Sequence, residues 1–206
     1  MSNFNRHIGF TFLLILLCAT WASAQPRDVN CSEQAQKLVD RAWAAQPMNK
    51  QQRGGTPSKA EELYKQAIVD SPRCPRASRL LVALLMRSER YEEARKYNDR
   101  FLQDFPDDPG ALTQRASLIS ELNKDYQSAL DIEKKLLDAT EFNHNGNVYY
   151  RIAAIYSLMN RLDDSLDYLA QALRVDKSWG DKENAQADSG FENLRKDKRF
   201  WVLIKK

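Results

Sequence analysis

Apolar positions recur in steps of three and four along most of the chain, and they fall in paired short runs rather than one long one. "PRASRLLVALLMRSERYEEA" sets Leu81, Val82 and Leu85 on one stripe. "GALTQRASLISELNKDYQSA" does so with Leu112, Ala116 and Ile119, and "GNVYYRIAAIYSLMNRLDDS" with Tyr149, Ile152, Ala153 and Tyr156. This is the period of one face of an α-helix. A second kind of run alternates with the first. "KAEELYKQAIVDSP" carries Ala60, Tyr64, Ala67 and Pro72, and "YEEARKYNDRFLQDFP" carries Ala94, Asn98, Phe101 and Pro106. Small residue to proline is 12 positions in both, and the two prolines are 34 apart. Ala129 with Leu136, and Ser165 with Leu169, Ala172 and Leu173, continue the series. "CSEQAQKLVDRAWAAQ", with Ala35, Leu38, Val39 and Ala42 on one face, supplies the earliest first helix. A 34-residue period of helix pairs is the signature of a stacked repeat.

These residues resemble the tetratricopeptide repeat family. Its first helix carries a large, a small and an aromatic residue; its second carries a small, an aromatic, another small residue and a closing proline. The units fall at 31–74, 75–108, 109–143 (with one extra residue before Ala129) and 146–179, the first stretched by a polar, glycine-containing loop at 46–56. Val82 stands where the small residue belongs in the second unit, and the third and fourth lack the proline. The resemblance implies an all-α fold, a right-handed α-solenoid of about four helix hairpins. Ala94 then marks a close helix crossing, Phe101 fills the gap towards the next unit, and Pro106, with no amide hydrogen to donate, suits the turn between units.

Residues 180–206 break the period. They begin like another first helix, then supply Phe191, Leu194, Phe200, Trp201, Leu203 and Ile204. This resembles the end-of-group segment that follows many bacterial repeat arrays, and implies a C-terminal cap over the last hairpin. The alternative is an exposed aromatic hook for a partner.

The first 24 residues are a different material. A short polar start with Arg6 leads into the apolar "IGFTFLLILLCATW", and Ala22 and Ala24 have the spacing that a signal peptidase reads. A signal peptide cleaved after Ala24 is expected, with 25–30 as a short N-terminal segment; the alternative is an uncleaved membrane anchor, for which the apolar run is short of the ~20 residues a span needs. Of the 31 basic residues, losing Arg6 leaves 30 against 28 acids, a net charge of +2. That near balance gives no reason to expect nucleic acid or an anionic membrane as partner.

Cys31 and Cys74 remain after the leader. In the repeat frame Cys31 opens the first helix of unit one and Cys74 follows the second. An antiparallel hairpin brings those ends together, so a Cys31–Cys74 disulfide is expected in an exported chain; the alternative is two free thiols.

Little in the sequence carries reaction chemistry. His144 is the one histidine beyond the leader, in an "NHNGN" linker, and reads as a solvated turn residue. No Cys/His metal spacing, phosphate loop or nucleophile elbow is present. The expectation is a non-enzyme with no cofactor, no metal and no small-molecule substrate.

The resemblance implies a concave side lined by the first helices. Its stripe is Arg76, Arg79 and Arg87 at one end, Thr113 and Ser117 in the middle, and Tyr150 at the far end. Such arginines suit acidic side chains or a C-terminal carboxylate, and small residues leave room for a peptide or helix; the alternative is a solvated face whose charges pair with neighbouring acids. The lysine and asparagine set with which some family members clamp a carboxylate is not reproduced, since Leu80 and Gln114 stand where asparagine is sought. The expected function is a protein-binding scaffold, periplasmic or secreted, in a Gram-negative bacterium, with an envelope protein as partner. Membrane contact would come only through an uncleaved leader. The alternative function is a structural, self-associating subunit of an envelope assembly.

Overall fold

A computed structural model describes residues 30–46, 58–139, 146–180 and 184–205. The leader with Ala22 and Ala24, all of the 46–56 loop but Gln46, and His144 lie outside the described residues. The fold is all-α. Four antiparallel pairs follow one another: α1 (Glu33–Ala44) with α2 (Lys59–Asp70), α3 (Pro75–Arg87) with α4 (Tyr91–Asp104), α5 (Pro109–Asn123) with α6 (Tyr126–Asp138), and α7 (Gly146–Leu158) with α8 (Leu162–Val175). Three short 3-10 turns and a six-residue helix, α9 (Lys198–Leu203), close the chain.

Local chemistry explains the boundaries. Ser32, Ser58, Asp108 and Asp125 cap α1, α2, α5 and α6, each side chain accepting from a backbone N–H of the first turn. Pro75 and Pro109 open α3 and α5, where a missing amide hydrogen costs nothing. Inside three hairpins the chain turns through a left-handed residue, Glu89, Lys124 or Asn160, with φ of 60°, 53° and 59°. Pro72 and Pro106 lie in the turns between pairs.

The pairs close at small residues. Ala60, Ala94, Ala129 and Ser165 are 0% exposed. Where the residue is polar it is used: Ser165 donates to the Ala153 carbonyl at 2.7 Å, joining α8 to α7. Each pair then stacks on the next through α2–α3, α4–α5 and α6–α7, and the first helices also touch one another, α1 with α3 and α3 with α5. Elements that meet across successive units lie on the inner side of a curved stack, so the first helices line it. Phe101 and Leu102 of α4 pack on Ala111 of α5, as the spacing predicts.

Cys31 and Cys74 form a disulfide, their Cα atoms 4.4 Å apart. It ties the start of α1 to the end of α2, alongside a hydrogen bond from the Ser32 amide to Ser71 Oγ at 3.2 Å.

The C-terminal segment differs in detail from the expectation of a further first helix. Residues 184–196 hold only turns and 3-10 geometry. Asp188 accepts from the Gly190 amide at 2.8 Å, turning the chain, and Gly190 lies so close to α7 that an added Cβ would sit 3.0 Å from Ala154 Cβ. The segment does cover the last pair: Phe191, Leu194 and Phe200 are 0% exposed and share a core with Tyr150, Leu169 and Ala172. Trp201 and Val202 stay exposed, at 38% and 59%.

Two stability predictions follow from this packing. Ala94→Leu forces α3 and α4 apart and lowers unfolding free energy by about 1–3 kcal/mol, read as a reduced urea midpoint. Reducing the disulfide, which closes a separation of 43 residues, lowers stability by about 4 kcal/mol in the chain-entropy model. Paired denaturation curves with and without reductant measure it.

Candidate functional site

First helices of successive pairs meet on the inner face, and the expected binding residues stand on it. Arg76 donates to Asp40 of α1 at 2.8 Å. Arg79 reaches Asp108, the cap of α5, at 3.1 Å, while Gln114 donates to the Arg79 carbonyl at 2.7 Å. Arg87 donates to the Gln46 side chain. Each arginine thus bridges to a neighbouring pair while keeping part of its surface in solvent. Trp43, one helical turn beyond Asp40 on α1, is 58% exposed.

The other three predicted residues cluster towards the C-terminal end. Ser117 donates to the Thr113 carbonyl at 3.2 Å, and Thr113 Oγ1 accepts from Arg151 at 3.2 Å. Tyr150 is 8% exposed, packed against Trp179 and Phe191 with ring centroids 4.7 and 5.0 Å away, and its hydroxyl donates to Asp188 at 2.9 Å. Burial, with the Asp188 carboxylate beside it, pushes the Tyr150 phenol far above its ordinary range. Residues 188–192 therefore lie along the inner face of α7, where Asn193 and Leu194 also bond to Ser157.

Between α5, α7 and this segment is a cavity of about 350 Å³. Ser117 and Ser120 line one side, Tyr150 and Ala154 another, Asp188 and Gly190 a third. Glu133 and Arg151 also line it: Glu133, 1% exposed, accepts two hydrogen bonds from Arg151 at 2.8 and 3.1 Å. Burial raises the Glu133 carboxyl above its usual range, and Arg151 offsets only part of that. Glu61, buried between pairs one and two, behaves oppositely. Burial raises it too, but Arg90 and Lys65 both hydrogen-bond it, at 2.6 Å each, and hold it below its usual value. Glu61 has two cations against a smaller desolvation, and Glu133 has one against a larger.

Glu133, Arg151, Asp188 and Glu192 lie outside the stripe of binding residues expected from the sequence. A signal was present for Glu133: it occupies the repeat position filled by Tyr64 and Leu169 in the outer pairs, and an acid at an apolar position demands a partner. Asp188 and Glu192 had none, because their placement depends on how the tail folds back. Among the described residues no group of three His, Cys, Asp or Glu side chains is placed to hold a metal ion, and no helix is long and apolar enough to cross a membrane.

Stacked helix hairpins closed at small residues, with an inner face formed by the first helices, define a solenoid of the tetratricopeptide type, a class typically non-catalytic. Comparison agrees: residues 49–109 match the family model described as Tetratricopeptide repeat. The fold is similar to that of MamA from Desulfovibrio magneticus RS-1 (residues 41 to the end), with a TM-score of 0.57 at 14% identity over 85% of this chain and 95% of that one. It is similar to the ArsTM double mutant of RS-1 MamA (TM-score 0.58, 18% identity, 85% and 94% covered). A tetratricopeptide repeat protein from Parabacteroides merdae ATCC 43184 also matches, with a TM-score of 0.54 at 19% identity, over 84% of this chain and 66% of that one. No curated protein matches the sequence.

The buried pair yields a pH-dependent prediction. Arg151→Met leaves Glu133 uncompensated and costs about 3 kcal/mol at neutral pH, the low end for a broken buried pair because Arg151 keeps some solvent contact. A carboxyl whose folded pKa is raised opposes folding as pH climbs through that value. The deficit of Arg151→Met therefore shrinks as pH is lowered towards that of an ordinary carboxylate, and adding Glu133→Gln flattens the profile. Urea titrations across that range read it out.

Proposed function

We propose that the protein is a non-catalytic binding scaffold acting outside the cytoplasm, in the periplasm of a Gram-negative bacterium or secreted, and that it holds a peptide or helix of an envelope protein against its inner face. The observation that carries this is the inner face itself: α1 touching α3 and α3 touching α5, small side chains at Ala83, one turn beyond Arg79 on α3, and at Thr113 and Ser117 on α5, and a hollow at the C-terminal end. A face of small residues flanked by larger ones leaves room for an inserted chain. The disulfide fits an oxidising compartment, and the leader pattern of the first 24 residues points the same way. The arginines at 76, 79 and 87 would contribute whatever donors their internal partners leave unused.

A photo-crosslinking amino acid placed at Ala83 or Ser117 in intact cells should capture a partner, and one at Lys135, exposed on α6, should not. Substituting Arg76, Arg79 and Arg87 together by alanine should reduce the yield from Ala83. Capture from Lys135 with silence at the inner positions overturns the groove. A second reading, a self-associating envelope subunit, draws on exposed Trp201 and Val202 of α9. Sedimentation showing a mass that grows with concentration, and that falls to a monomer in Val202→Glu, would favour it.

A further inference from the structure

We propose that the cavity between α5, α7 and residues 188–192 receives a basic side chain, an arginine, from an extended segment of the partner protein. The inference rests on the inner-face reading above and assigns the chemistry of what binds there.

Charge decides the sign of the ligand. Four acids line the cavity, Glu121, Glu133, Asp188 and Glu192, against two cations, Lys124 and Arg151. Both cations are committed. Arg151 is held by two bonds to Glu133 and one to Thr113, and Lys124 lies 3.6 Å from Glu121. Among the described residues the Asp188 carboxylate accepts only from neutral donors, the Tyr150 hydroxyl and the Gly190 amide, while Arg195 grips its backbone carbonyl. Glu192 is exposed at the rim and takes part in no ion pair among the described residues. Two carboxylates are thus in excess, both supplied by the C-terminal segment.

A second observation is independent of charge. Ser120 is 7% exposed, lines the cavity, and its hydroxyl has no hydrogen-bond partner. Ser117, one turn earlier on the same helix, satisfies itself on the Thr113 carbonyl. A buried hydroxyl without a partner is costly; the Ser120 oxygen is closed off from solvent, and a rotation of its side chain towards the cavity would let it accept from a ligand donor.

These features select the ligand. An anion would face surplus negative charge. An apolar group would desolvate carboxylates without compensating them. A guanidinium offers five N–H donors in a planar fork that suits carboxylates and a hydroxyl together. A volume of about 350 Å³ is at the small end of the ~300–1,000 Å³ typical of ligand sites, enough for one long side chain. The hollow lies on the inner face, where a partner's backbone would run.

The test titrates isotope-labelled protein with an amidated seven-residue serine–glycine peptide bearing one central arginine, and with counterparts bearing citrulline or glutamate. The arginine peptide should shift the amide resonances of Ser117, Ser120, Ala154 and Gly190. Citrulline, of the same shape but uncharged, should bind about tenfold more weakly, and glutamate should not bind. Glu121→Gln with Glu192→Gln, both on exposed side chains, should weaken the arginine peptide at least about tenfold, and Ser120→Ala should weaken it less. Equal binding of arginine and citrulline peptides, shifts outside the cavity, or no binding by the arginine peptide overturns the inference. If crosslinks from Ala83 and Ser117 persist under any of these outcomes, only the cavity assignment falls; if they are absent too, the inner-face reading falls with it.

Discussion

The close crossing of two helices at one small residue is the constraint on which the rest of the molecule depends. Ala60, Ala94, Ala129 and Ser165 admit no solvent, and a side chain larger by a few atoms at any of them would hold the pair apart. Close pairing presents Tyr64, Phe101, Leu136 and Leu169 to their surroundings at the right depth. No pair buries its apolar face alone, so stability accumulates from one neighbour to the next. The disulfide acts where that accumulation is weakest, on the first pair, which has a single described neighbour.

Polar contacts fix the orientation of one pair on the next. The repeat position that holds Tyr64 and Leu169 in the outer pairs holds Asn98 and Glu133 in the inner two, all of them buried. Asn98 donates to the Ala111 carbonyl at 3.0 Å, joining α4 to α5. Glu133 grips Arg151, and Glu61 grips Arg90 across the first boundary. Such pairs are weak sources of net stability, because desolvation consumes much of the Coulomb gain. Their directionality is the larger contribution: a guanidinium fork tolerates little rotation between the hairpins it joins.

The tail both completes the last core and shapes the cavity beside it. Phe191 and Leu194 point into the last core, while Asp188, between Tyr150 and Gly190, and Glu192 at the rim turn towards the cavity. Covering the final hairpin therefore also builds one wall of the hollow. The same segment closes the inner face of α7, so a chain running along the groove would meet it at the C-terminal end and find open surface over α3 and α5.

Hydrophobic period, small-residue spacing and capping side chains determined the helices and their pairing, because each acts within one or two turns of chain. The repeat frame even brought Cys31 to Cys74, since both ends belong to one hairpin. What the groove offers was decided by tertiary structure. Along the sequence Arg76 and Arg79 could serve either a ligand or neighbouring acids, and only the fold supplied those acids, Asp40 and Asp108, from 36 and 29 residues away. Tyr150 read as a groove aromatic, and a segment 38 residues later reached back to hold its hydroxyl. Apolar burial follows local periodicity, whereas the net charge of a cavity is a sum over side chains from distant segments, and that sum exists only once the chain has folded.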